Sequence, residues 1–82
     1  MGQPRIKWGQ AERYFLRHGY EIRSSGGDKI IVAPKGTNPN SPRNTLRIGH
    51  TSCSSPGDEL LKVYVSKFKH VFGVTAEDIL RE

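Results

Sequence analysis

The first clear periodicity lies over residues 7–18, where Trp8, Ala11 and Phe15 recur at helical spacing while Arg13 and Arg17 take another side. This predicts an amphipathic helix. Gly19 follows it, as a left-handed cap would. Tyr20 and Ile22 then alternate with Glu21 and Arg23, the period-two pattern of a strand with one wet face. Residues 24–27 supply a turn centred on Gly26, and residues 29–33 are a β-branched, apolar second strand closed by Pro34, which has no N–H for a ladder. Residues 45–50 read as a third strand, with Leu46 and Ile48 facing one way and Arg47 the other.

This pattern predicts a register. A hairpin centred on Gly26 sets Ile22 opposite Ile30 and Tyr20 opposite Val32, and an antiparallel third strand with Ile48 opposite Ile30 adds Leu46 and Ile48 to that face. Ser24, Asp28 and His50 then meet at the rim of the tip. A one-residue slip would instead set His50 against Lys29. Further along, Ser55, Pro56 and Asp58 read as the capped start of a longer helix whose core face is Leu60, Leu61, Tyr64, Phe68, Val71 and Phe72. Gly73 stops it, and a last short turn capped from Thr75 carries Ile79 and Leu80. Residues 1–6 form a loose lead-in, and residues 35–44, rich in Asn, Pro and Ser, form a long loop inside the domain.

The expected architecture is therefore a single α+β domain over residues 1–82. It has a three-stranded antiparallel sheet in the order helix, three strands, helix, with both main helices on one face. At 82 residues and 34% hydrophobic content one compact core is the expectation. No apolar run approaches the ~20 residues that cross a bilayer. The chain reads as cytoplasmic, with no membrane partner. One cysteine, Cys53, provides no internal disulfide and no thiolate zinc site, so packing alone must stabilise the fold.

Charge changes the picture by its distribution. The first fifty residues hold nine Lys or Arg against three acids, whereas the last thirty-two hold four against five. A basic face built by the first helix and the sheet suits a polyanion, because each cation near a phosphate releases condensed counterions. The same residues also describe a merely basic, soluble surface. Candidate contacts are Arg13 and Arg17 on the helix, Arg23, Lys29 and Arg47 on the sheet, the Gly26 and Gly27 amides at the tip, and Ser54 and Ser55 before the second helix.

Candidate chemistry centres on His50, since imidazole exchanges a proton near neutral pH, and a neighbouring Asp28 would orient its ring. The competing reading is a strand-end histidine in a polar rim. His18 at a helix C-terminus reads as structural, and His70 as solvated. A serine triad of Ser24 or Ser25 with His50 and Asp28 lacks a nucleophile elbow. Cys53 reads as a small filler, and neither a metal-ligand spacing nor a cofactor motif is present.

The element order, the stretch Arg17-His18-Gly19-Tyr20-Glu21-Ile22 and the strand ending Ile48-Gly49-His50 resemble the HicA (YcfA-like) toxins over about residues 7–72. The resemblance implies a double-stranded-RNA-binding-like fold, an mRNA-cleaving toxin and a HicB-type antitoxin protein that covers its active site. In that fold the first helix, the hairpin tip and the start of the second helix touch RNA. The family's tip motif G-S-H-H aligns with Gly26, Gly27, Asp28 and Lys29, so Asp28 stands where the catalytic histidine is expected. Two outcomes follow: an endoribonuclease with a site shifted to His50, or a catalytically disabled relative. The alternative class is a protein-interaction module without RNA activity, recruiting its partner through a sheet edge or the 35–44 loop.

Overall fold

The amphipathic pattern around Trp8 resolves into helix α1, Trp8–Arg17, which buries Trp8, Ala11 and Phe15. The computed structural model describes residues 5–34 and 44–81; most of the expected long loop, and residues 1–4 of the expected loose lead-in, lie outside them. Ile6, also read as lead-in, is fully buried, and its carbonyl accepts the Leu60 N–H at 2.8 Å. Gly19 ends α1 at φ +85°, and the chain folds back so that the Tyr20 N–H donates to the Phe15 carbonyl at 2.9 Å.

Strands β1 (Glu21–Ser25), β2 (Asp28–Val32) and β3 (Thr45–Ile48) form one antiparallel sheet in that order. The register differs from the expectation by one residue. Gly26 and Gly27 both take positive φ, +58° and +90°, making a two-residue turn that only glycine-like residues enter cheaply. Ser25 therefore pairs with Asp28, Ser24 with Lys29 and Ile22 with Ile31, while Ile48 pairs with Lys29 and Arg47 with Ile30. Ile31, Leu46 and Ile48 are buried on the covered face, and Ile30 and Val32 move to the open one.

The second helix begins later than its cap-like sequence implies. Ser55 and Asp58 close a turn on themselves, with the Ser55 N–H donating to Asp58 Oδ2 at 2.9 Å, and the chain stays extended through residue 61. The reason is long-range. The Pro56 and Asp58 carbonyls accept the Gly9 and Trp8 N–H groups at 2.9 and 2.7 Å, and Lys7 bridges to Glu59. The segment thus satisfies the first donors of α1, which Lys7 offers no side chain to cap. A Cβ on Gly9 would lie 2.9 Å from the Pro56 Cβ, so this approach requires glycine.

Helix α2, Lys62–Lys67, continues as a π-type turn over Phe68–Phe72 and stops at Gly73, φ +71°. Leu61, expected in the core, is 56% exposed, whereas Val65, Phe68, Val71 and Phe72 are buried. Phe15, Tyr20, Phe68 and Phe72 form one aromatic cluster with ring centroids 4.7–5.6 Å apart. Helix α3, Ala76–Leu80, is capped by Thr75, whose Oγ1 accepts the Asp78 N–H at 3.2 Å, and it buries Ile79. The result is an α+β fold in which a three-stranded sheet carries its helices on one face.

Candidate nucleic-acid interface

The two-residue turn decides where the tip side chains point. Asp28 falls on the open face and Lys29 on the covered one. Beyond β3 the chain turns through a short 3-10 segment, His50–Ser52, which brings His50 beside the hairpin tip. A Cβ placed on Gly27 would lie 3.4 Å from the His50 Cβ. Gly26, Gly27, Lys29, His50, Cys53 and Ser54 line a cleft of about 480 Å³ at this end of the sheet.

Asp28 is the organising group behind the cleft. Its Oδ1 accepts the His50 N–H at 2.9 Å and lies 3.5 Å from His50 Nδ1, while its Oδ2 accepts Arg47 Nε at 2.8 Å. The Arg47 guanidinium, and then the His50 amide, hold the Asp28 carboxyl below its ordinary value. At neutral pH it is an ionised acceptor with both oxygens engaged. Asp28 and His50 thus meet as expected, but the carboxylate positions the histidine and has no proton to donate. Ser24 does not join them: its Oγ accepts Lys29 Nζ at 2.7 Å, on the other face of the sheet.

Further contacts fix the His50 turn. Ser54 Oγ donates to the His50 carbonyl at 2.6 Å, and the Tyr64 hydroxyl accepts the Gly49 N–H at 3.0 Å. A Cβ on Gly49 would approach that hydroxyl to 3.1 Å. Tyr64 reads in sequence only as a core-facing residue; its role in holding the strand end depends on a contact fifteen residues back. Cys53 is 3% exposed, with its Sγ 3.3 Å from the Gly49 carbonyl, and burial pushes its thiol pKa up. This is the filler expected from sequence, here forming a wall of the cleft.

The other candidates divide. Arg23 and Arg47 point to the open face, and each is paired: Arg23 Nε lies 2.9 Å from Glu21 Oε1, and Arg47 binds Asp28. Arg17 sits at the far end of α1, where Gly19 approaches Pro34, away from the tip. Arg13 is exposed in the middle of α1. Ser54 lies at the cleft, but Ser55 is engaged with Asp58, and neither stands at a helix start, because α2 begins at Lys62. Of the expected contact set the structure brings together Gly26, Gly27, Lys29 and Ser54 with His50.

Among the described residues no group of three His, Cys, Asp or Glu side chains could hold a metal ion. No helix among them is long and apolar enough to cross a membrane. No protein-family model, curated protein or solved structure matches the chain.

Proposed function

We propose that this chain is a HicA-like RNA-binding protein that grips backbone phosphate at the hairpin tip and lacks the proton donor needed to cut it. The observation that carries this reading is the gathering of Lys29, His50 and the Gly26–Gly27 turn around one cleft. Each is a donor suited to phosphate oxygen. Lys29 Nζ carries three N–H groups, of which the contact with Ser24 uses one. The amides of the Gly26–Gly27 turn are donors of the kind that can bind a phosphate oxygen. With Nδ1 turned toward Asp28, the His50 ring has Nε2 left for a ligand.

Cleavage of RNA through its 2′-hydroxyl needs a base for that proton and an acid for the leaving oxygen. His50 is the one imidazole at the cleft, and Asp28 is held ionised by Arg47. One half of the acid–base pair is therefore missing, which favours the disabled outcome over the shifted ribonuclease site. A HicB-type protein that covers the cleft is the partner this reading implies.

The test compares binding and cleavage of a labelled RNA by the wild type, His50→Ala and Asp28→His. The wild type is expected to bind without cutting. Asp28→His puts an imidazole at the family's tip position but removes the carboxylate that holds His50, so a gain of cleavage would mark a disabled ribonuclease and no gain a binding module. Cleavage by the wild type that disappears in His50→Ala would establish the shifted site instead. Absence of RNA binding at low salt would leave the protein-interaction reading, which the charge-balanced open face of the sheet favours.

A further inference from the structure

Among the described residues no helix covers the second face of the sheet, and its composition follows from the observed register. Glu21, Val32 and Thr45 form one row across the three strands, and Arg23, Ile30 and Arg47 form the next. Ser25 and Asp28 begin a third. Ile30 and Val32, half-buried, make an apolar stripe along the central strand, flanked by exposed charged or polar side chains. Two arginines and two acids share this face, so their formal charges cancel. None of these residues is aromatic. A nucleic acid needs net positive charge or a stacking platform, and the described residues of this face offer neither.

From this arrangement we infer that the open face docks a second copy of the same chain, around a two-fold axis running across the strands between the two rows. That axis sets Val32 against Ile30 of the other copy and Glu21 against its Arg23, with both contacts repeated by symmetry. The intramolecular Glu21–Arg23 pair, 2.9 Å apart, becomes a four-member ion-pair cluster spanning the interface. The alternative two-fold, along the strands, sets Arg23 against Arg47 of the other copy. Like charges across an apolar stripe disfavour it.

Three strands ~4.8 Å apart and at most about 17 Å long offer roughly 250 Å² per copy. Stable complexes bury about 800 Å² on each side, so this association is weak and concentration-dependent. In it the two hairpin tips point in opposite directions, leaving each cleft uncovered.

Sedimentation equilibrium on the full chain at low salt, from about 10 μM to about 1 mM, tests the inference in the range set by a dissociation constant of that order. The wild type is expected to dimerise toward the upper end. Glu21→Arg sets like charges against Arg23 of the other copy and should weaken the dimer at least about tenfold. The double variant Glu21→Arg with Arg23→Glu restores both symmetric contacts and should recover it. Glu21 is exposed on an edge strand, so circular dichroism is expected to show an unchanged fold in both variants. A wild type monomeric throughout, a Glu21→Arg variant that dimerises as before, or a double variant that fails to recover would each overturn the proposal.

Discussion

At one end of the sheet Tyr20 leads into β1, and its ring meets Phe15 and Phe72 at 4.7 and 5.2 Å between centroids. At the other end, around Gly26 and His50, apolar packing gives way to hydrogen bonds: Asp28 to the His50 amide and Arg47, Ser54 to the His50 carbonyl, Tyr64 to the Gly49 amide. The first end contributes burial, which is non-directional and large. The second adds direction, with hydrogen bonds laid over the buried Ile48 and Cys53. A domain of 82 residues has a small stability margin, so clustering Phe15, Tyr20, Phe68 and Phe72 at one end leaves the other free to expose donors.

That contrast is broken most severely by Phe15→Ala. Phe15 is fully buried and touches three aromatic rings of the cluster, so its truncation is expected to cost about 3–5 kcal/mol, read by urea denaturation. RNA binding should then disappear together with the fold. Gly9→Ala ranks next, and two effects oppose each other there. Alanine gains about 1 kcal/mol of helix propensity over glycine. Its Cβ, however, would meet the Pro56 Cβ at 2.9 Å and the Pro56 carbonyl oxygen at 3.0 Å, and backbone cannot rotate away. Overpacking of about 1–3 kcal/mol outweighs the propensity, so the variant should melt earlier than the wild type. A melting temperature that rises would mean that residues 56–60 are not held against α1.

Acid titration tests the directional end. Hydrogen bonds from Arg47 and the His50 amide to Asp28, from Ser55 to Asp58 and from Thr75 to Asp78 lower all three carboxyl pKa values below the ordinary 3.8. Because the folded values are the lower ones, the stabilisation is fully present above 3.8 and is lost as pH falls through the folded values. Melting temperatures should stay level from neutral pH to about 5 and drop below about 4. In Asp28→Asn the drop should be shallower. The smallest effect on stability is expected for Lys29→Ala and His50→Ala, within about 0.5 kcal/mol, since both side chains act at the cleft surface.

Much of this division was legible in the chain. The spacing of Trp8, Ala11 and Phe15, the alternation around Ile22 and the glycines at 19 and 73 locate α1, the strands and the helix stops. They also bring Asp28 and His50 to one end. The register was not legible, because Lys29-Ile30-Ile31-Val32-Ala33 is apolar on nearly every position and shows no alternation. Either face could be the inner one. Only the positive φ of both Gly26 and Gly27 fixes a two-residue turn, and that choice sends Ile30, Val32, Arg23 and Arg47 to the open face. Residues 55–58 misled for a related reason: their capping chemistry is real but closes a turn, and the helix start it resembles is displaced by pairing with α1, fifty residues away. Ion pairs such as Arg47 with Asp28 likewise depend on register, which is why cations counted in the sequence overstate the positive charge of the sheet.

The central claim is that the tip cleft takes RNA phosphate through Lys29, and the salt dependence of binding tests it most directly. Fluorescence anisotropy of a labelled RNA between about 50 and 200 mM salt should show affinity falling steeply in the wild type. Lys29→Ala should weaken binding and make the slope of log affinity against log salt shallower by about one. Affinity that does not change with salt, or a slope identical in the wild type and Lys29→Ala, would contradict the account.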